Sequence, residues 1–262
     1  MQIKRALITG AAARLGRAMA LDLAQAGWDI AIHYNTSQSA AAQAAEAVRG
    51  TGAKAVTVQA DLLVEAQVSD LVARATQGLG GPLSLLINNA SLFENDGMED
   101  MSRDSWDGSL ESNLRAPVHL TQQFAAQAPK AAIDQNGEPV AQAVVINMID
   151  QRVWKLTPHF MSYTMAKAGL LAFTKTSAQA LAPDIRVGAI GPGPTLANSR
   201  QSAAHFAKQR AGCVLGRGSD PEDIINAMNF ILSNKAFTGQ MLAIDGGQHL
   251  AWQTPDVVGG GE

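Results

Sequence analysis

Short runs rich in Val, Ile, Leu and Ala alternate along this chain with longer stretches in which apolar residues recur every three to four positions. The short runs cover residues 3–8, 29–33, 55–59, 83–87, 144–148, 186–190 and 241–244. Their near-continuous apolar character is that of strands buried on both faces. The longer stretches cover residues 15–26, 37–49, 64–78, 110–126, 163–181 and 221–232. They carry the period of a helix with one apolar side. The alanine-rich segment 40–47 adds strong intrinsic helix propensity. Regular alternation of strand and helix predicts an α/β fold, a doubly wound parallel seven-stranded sheet with helices on both faces. No internal repeat or linker interrupts the pattern. A single domain is therefore expected over residues 1–250, followed by a C-terminal tail over 251–262. Two stretches read as loops. Residues 129–139, with Asn136-Gly137, form a surface excursion. Residues 195–215 are polar and follow a strand end, so they read either as a substrate lid or as an ordinary surface helix and loop.

Composition narrows the class. Of 262 residues, 47% are hydrophobic and 16% charged, which supports a sizeable core and argues against disorder. The formal net charge is −3 and no long basic run appears, so nucleic acid is not an expected partner. A single cysteine, Cys213, excludes an intrachain disulfide and suits a reducing, cytoplasmic setting. The first apolar run is too short for a secretory leader and leads straight into a glycine loop. No stretch approaches the ~20 apolar residues of a membrane span. No metal site is expected.

The first strand runs into Thr9-Gly10-Ala11-Ala12-Ala13-Arg14-Leu15-Gly16, and a helix follows. Glycines at such a turn let the backbone approach a pyrophosphate, and the helix N-terminus offers free N–H groups. Arg14 stands where the usual pattern has its middle glycine. A plain tight turn is the competing reading, but a place between strand and helix favours a dinucleotide. An acid at the end of strand two would bind a ribose 2′-hydroxyl; the residues there are His33-Tyr34-Asn35-Thr36-Ser37. With no acid, a cation nearby in Arg14, and polar groups at the next helix N-terminus, NADPH is expected over NADH. Ser37 reads equally as a helix cap. His33 reads equally as a satisfied interior ring. Asp61 and Leu62 follow strand three, where an adenine amino group would lie. Asn88-Asn89-Ala90-Ser91 ends strand four and Pro192-Gly193 ends strand six, at the edge where open α/β sheets bind ligands.

Tyr163 and Lys167 are four residues apart, on one face of a helix. An ammonium beside a phenol favours the phenolate. Bringing a phenol from ~10 to neutrality takes about 3 units, or roughly 4 kcal/mol. One lysine does not supply that alone, and an oxidised nicotinamide ring would add a second positive charge. Asp150 precedes them in Ile146-Asn147-Met148-Ile149-Asp150, and read alone it is equally a turn or cap residue. Trp154, Phe160 and Met161 lie just before the tyrosine and read as pocket lining or as core.

The loop 9–16, Asn88-Asn89-Ala90, Asn113, Tyr163/Lys167, Gly191-Pro192-Gly193 and Asp245-Gly246-Gly247 together resemble the short-chain dehydrogenase/reductases over nearly the whole chain. That resemblance implies a Rossmann-like fold, an NADP-dependent oxidoreductase and a homotetramer with helices 110–126 and 163–181 in subunit contacts. It also implies a catalytic group of Tyr163, Lys167 and Asn113, the last orienting a water on the lysine. That broad family has a serine where Asp150 stands. A narrower resemblance is to the pteridine reductases. It is carried by residues 9–17 with the arginine in place of glycine, by His33-Tyr34, by 88–93, by 146–150 with the aspartate, and by 163–167. It implies that Arg14 and Ser91 lie near cofactor phosphate and pterin, and that Phe93 stacks the pterin against the nicotinamide. Asn35-Thr36-Ser37 departs from that group's His-Arg-Ser, and 151–162 and 195–215 are not close matches.

The chemistry of Asp150 points the same way. Reducing a carbonyl builds negative charge on oxygen, which an ionised carboxylate opposes. Reducing a C=N bond protonates nitrogen as hydride reaches carbon, and an aspartate can hold or relay that proton. A carboxylate beside Tyr163 also raises the phenol's pKa and keeps it a donor. The leading expectation is an NADPH-dependent reductase turning a dihydropterin into a tetrahydropterin. The alternatives are a 3-oxoacyl or other carbonyl reductase, with Asp150 serving only structure, and a cofactor-binding regulatory protein without turnover.

Overall fold

The computed structural model describes residues 3–197 and 201–254. The strands of the main sheet are β1 (Arg5–Ile8), β2 (Asp29–Tyr34), β3 (Ala55–Gln59), β4 (Leu85–Asn88), β7 (Ala143–Met148), β8 (Ile185–Pro192) and β9 (Met241–Ile244). A small antiparallel hairpin, β5 (Ala132–Ile133) and β6 (Pro139–Val140), lies apart from them. The helices are α1 (Arg14–Gln25), α2 (Gln38–Arg49), α3 (Glu65–Val68), α4 (Leu71–Leu79), α5 (Arg103–Leu110), α6 (Ala116–Gln127), α7 (Met161–Leu181), α8 (Ala203–Ala211) and α9 (Pro221–Ser233).

All pairings in the main sheet are parallel, in the order β3-β2-β1-β4-β7-β8-β9. Successive side chains of a strand point to opposite faces. Ala6, Ile8, Ile30, Ile32, Val144 and Ile146 therefore pack with α1, α2 and α9, and Leu7, Ala31, Val145 and Val187 with α4 and α6. Both faces are covered, which is why the strands read as unbroken apolar runs rather than alternating ones. Chain order reverses between β1 and β4, and the cleft of the molecule opens above that point.

Two expectations need correction. Residues 64–78 form two helices, α3 and α4, rather than one. The helix expected at 110–126 begins earlier, as α5, and runs through a π turn at Glu111–Arg115 into α6. α5 escaped the periodic reading because its only buried residue is Ser109. A reciprocal cap between Ser102 and Ser105 starts it instead of an apolar stripe. Within residues 195–215 lies the nine-residue α8, capped by Ser202, the helix that one of the two readings of this segment included. The excursion at 129–139 carries the hairpin, with Gly137 in the left-handed region at its turn. Most of the expected tail 251–262, including Gly259-Gly260-Gly261, lies outside the described residues; Ala251 and Trp252 are exposed. Among the described residues no helix is long and apolar enough to cross a membrane.

Candidate active site

The loop after β1 is held from three sides. Thr9 Oγ1 accepts hydrogen bonds from the Asn89 and Ala90 amides, both at 2.9 Å. The Asn89 amide group donates to Thr9 O at 2.8 Å. His33 Nδ1 accepts from Gly10 N at 3.0 Å. Gly16 packs so closely that a Cβ there would lie 2.4 Å from Gly10 O. Arg14 is one of two non-glycine residues with positive φ among those described, at 52°. This is the position where glycine is usual, so the backbone keeps the glycine conformation while carrying a guanidinium, at a strain of about 1 kcal/mol. That guanidinium donates to Leu196 O at 3.0 Å and Ala197 O at 2.7 Å, at the start of the polar segment after β8.

A cavity of about 430 Å³ beside the loop is lined by Gly10, Arg14, Leu15, Gly16, His33, Asn35, Asp61, Leu62, Asn89, Ala90 and Ser91. It shares Arg14, Leu15, Asn89 and Ser91 with a larger cavity of about 1210 Å³, so the two form one trench across the sheet edge. The larger part brings together Ser91, Phe93, Asp150, Tyr163, Lys167, Pro192 and Gly193. The trench fits an extended dinucleotide, with its glycine loop at one end and the Asp150, Tyr163 and Lys167 side chains at the other. Ser37 begins α2 without a capping hydrogen bond and lines a polar concavity with Thr36. Ser37 is therefore the N-cap by position but makes no capping bond, and it lines neither part of the trench.

Not every expected residue is used as expected. Tyr34 ends β2 but lines none of these cavities. His33 reaches the cavity wall, yet both ring nitrogens serve the protein: Nε2–H donates to Ala60 O at 3.0 Å. Burial pushes its pKa from 6.5 down to about 4, with the Ala60 bond opposing. A neutral ring with both nitrogens occupied supports the loop rather than offering groups to a ligand. Asn113 lies in the π turn and is fully buried. It accepts from Ser91 Oγ at 2.6 Å and donates to Leu92 O at 2.9 Å, so it fixes the Ser91 loop.

At the trench floor, Tyr163 Oη donates to Asp150 Oδ2 at 3.0 Å. The other carboxylate oxygen accepts from Arg152 N at 2.8 Å and caps the short turn 151–153. Asp150 is thus a cap through one oxygen while the other faces the phenol. Lys167 is 2% exposed, and its ammonium donates to Met148 O at 2.8 Å. Burial raises the Asp150 carboxyl, with the Arg152 amide opposing. Burial, and then the Asp150 charge, push the Tyr163 phenol well above its usual value. Burial lowers Lys167 to about 8, with Asp150 opposing. The lysine's expected pull toward phenolate is therefore outweighed. The phenol stays protonated, as the reading from Asp150 required. Phe160 stacks on Phe93 at 4.3 Å, and Phe93 meets Tyr163 edge-on at 4.7 Å. Trp154 is half exposed and packs on His249, so it is not core.

A family model described as Enoyl-(Acyl carrier protein) reductase matches residues 10–249. The chain belongs to the short-chain dehydrogenase/reductase family. It is an oxidoreductase with that family's Rossmann-like fold. Among relatives, the short-chain dehydrogenase/reductase eriH of Hericium erinaceus is 30% identical over 258 residues, covering 93% of this chain and 96% of its own. The 3-oxoacyl-[acyl-carrier-protein] reductase FabG of Staphylococcus epidermidis is 26% identical, covering 94% and 99%. Among solved structures, FolM alternative dihydrofolate reductase 1 of Brucella suis in complex with NADP is 41% identical. It has a TM-score of 0.89 and covers 97% of this chain and 98% of that one.

Within this short-chain dehydrogenase/reductase framework, three residues that the sequence reading missed stand out. Arg152 lies over the Phe160 ring at 4.9 Å. Asn147 bridges Asn88 and Thr174 at 2.8 and 2.9 Å, tying β4 and β7 to α7 beneath the site. Asp96 is buried beside the start of α7. Nothing in local spacing marked their contacts.

Proposed function

We propose that this chain is an NADPH-dependent reductase of a dihydropterin, saturating a ring C=N bond. The observation that carries the reading is the 3.0 Å hydrogen bond between Tyr163 and Asp150, in a site where the phenol is held protonated. NADPH, when bound, supplies hydride to the ring carbon. Tyr163 gives its proton to the ring nitrogen as the C=N bond becomes CH–NH, and Asp150 accepts the phenol's hydrogen bond beforehand and relays a replacement proton. Lys167, buried behind Tyr163, holds the nicotinamide ribose. Phe93 forms an aromatic wall for the flat pteridine, and Arg14 and Ser91 face its polar edge. The adenosine end is held by Asp61 and Leu62, with Asn35 and Ser37 at the 2′-phosphate. Support for the substrate comes from the 41% likeness to a FolM alternative dihydrofolate reductase, against 26% to a FabG. The same reading carries a homotetramer and a cytoplasmic location.

A second reading, reduction of a 3-oxoacyl thioester, draws on the FabG relatives. It is disfavoured by the carboxylate at 150, which opposes a developing oxyanion. NADPH oxidation by the purified protein with dihydrobiopterin, dihydromonapterin, dihydrofolate and an acetoacetyl thioester separates the two. Turnover confined to the pteridines supports the proposal. Turnover of the thioester alone overturns it. NADPH binding without turnover of any of them leaves a regulatory protein.

A further inference from the structure

Helix α7 carries both Tyr163 and Lys167, and its start has an unusual anchor. Phe160, its N-cap, sits in the left-handed region at φ 58° and offers no side-chain cap. The first N–H groups of a helix need partners from outside it. Here one residue from another loop provides them. Asp96 O accepts from Phe160 N at 2.8 Å and from Met161 N at 3.4 Å. Asp96 Oδ1 accepts from Ser162 N at 3.2 Å. Its second carboxylate oxygen accepts from the hydroxyls of Ser162 and of Ser105, the latter at 3.1 Å. The Ser162 hydroxyl also reaches Ser109 Oγ at 2.9 Å. Asp96 is 2% exposed. Burial alone pushes its carboxyl up, but the bonds from Ser162, Ser105 and Met161 together hold it below its ordinary value, so it is a buried anion at a helix N-terminus.

Asp96 lies on the same loop as Ser91 and Phe93. The contact therefore joins the substrate wall to the residue before Tyr163. Phe93 meets the Phe160 ring face-on and Tyr163 edge-on, so any slip of the loop against α7 moves all three rings. Nothing in the proton-transfer chemistry uses this carboxylate, and its partners are all at one junction.

We propose that Asp96 is a positioning residue, which sets the register between the Ser91–Phe93 wall and the Tyr163–Asp150 pair. The proposal rests on Tyr163 being the proton donor, and its test is built to fail separately from the pteridine reading. The chain has two tyrosines, Tyr34 and Tyr163, so protein labelled with 13C at tyrosine Cζ gives two signals, and Tyr163→Phe assigns them. In Asp96→Ala the Tyr163 signal is expected to move as its bond to Asp150 is lost, while the Tyr34 signal stays. Dihydropterin kcat/KM is expected to fall about 10- to 100-fold, the cost of misplacing a reacting group by about 1 Å. NADPH affinity, set at the other end of the trench, is expected to hold within about two-fold. Asp96→Asn keeps an oxygen for Ser162 N and can donate to the serine hydroxyls, so it is expected to keep the Tyr163 signal and most of the turnover.

An Asp96→Ala protein with unchanged Tyr163 signal and turnover overturns the proposal. So does an Asp96→Asn protein as impaired as the alanine variant. If Asp96→Ala does not fold, Ser105→Ala combined with Ser162→Ala removes the two hydroxyl donors and carries the same decision. A shifted signal with reduced turnover supports the proposal, and wild-type values overturn it. If the wild-type protein turns over no pteridine, the Tyr163 signal still decides the role of Asp96, and only the substrate reading falls.

Discussion

Lowering the pH from 7 to 5 is expected to weaken the fold through one side chain, His33. Its ring is buried at the end of β2, with Nδ1 accepting from Gly10 N and Nε2–H donating to Ala60 O. That pattern fixes one neutral tautomer. A second proton would put an N–H against the Gly10 N–H and a charge in a buried site. Burial accordingly takes the pKa from 6.5 to about 4. Because the folded value lies below the unfolded one, the unfolded chain binds the proton first. The contribution is complete above pH 6.5 and is lost as pH falls toward 4. The full difference is about 3 kcal/mol, of which about 2 kcal/mol is gone by pH 5. Urea unfolding of wild type and His33→Gln at pH 7 and pH 5, at one protein concentration, isolates this group, since other titrating residues cancel in the difference. The wild type is expected to lose about 2 kcal/mol more than the variant over that range. At pH 7 the variant is itself expected to be about 1–2 kcal/mol less stable, from imperfect replacement of two hydrogen bonds. NADPH affinity should fall with acid in the wild type and stay flatter in the variant, because the same bond holds the loop. Equal losses in the two proteins refute the account.

Three further outcomes follow from the site. Asp150→Ser should reduce dihydropterin turnover by about 10²- to 10⁴-fold, the worth of a positioned proton donor, with NADPH affinity within about two-fold; steady-state rates and a fluorescence titration read both, and equal turnover sinks the proton-relay role. Arg14→Gly should relieve the positive-φ strain and melt no lower than wild type, with a gain of up to ~1 kcal/mol, while NADPH binding weakens about ten-fold. A drop in its melting temperature would show that the guanidinium's bonds to Leu196 and Ala197 outweigh the strain. The pH profile of kcat/KM should turn down as pH rises through about 8, where buried Lys167 loses its charge; an activity that stays flat to pH 10 removes Lys167 from the free enzyme's essential groups.

Much of the molecule was legible along the chain. Seven apolar runs became the seven strands of one parallel sheet, because a strand covered on both sides has no polar face to interrupt its run. The glycine loop, the strand-end asparagines and the Tyr163–Lys167 spacing were legible for a similar reason: each is set by residues within one turn or one helix. α5 was not, since a helix built on polar caps over a single buried serine has no amphipathic signature. Neither was the contact of the Asn113 side chain with Ser91 and Leu92, which joins residues about twenty positions apart. His33 showed both halves of the problem. Two roles fitted its position, and burial with two occupied nitrogens chose between them.

The sequence by itself determined the class of fold, the ends of the strands where ligands gather, and the identity of the groups that can carry a proton there. These are local properties, written in unbroken apolar runs, in the helical period of 3.6 and in spacings of three or four residues. Only the tertiary structure decided which of those groups meet. Tyr163 finds Asp150 because α7 packs against the end of β7, and α7 starts where it does because a carboxylate 66 residues away closes its first turn. It also decided their charge states. Desolvation depends on what surrounds a side chain in space, so the protonated phenol, the neutral His33 ring and the buried Asp96 anion come from packing that no stretch of sequence records alone.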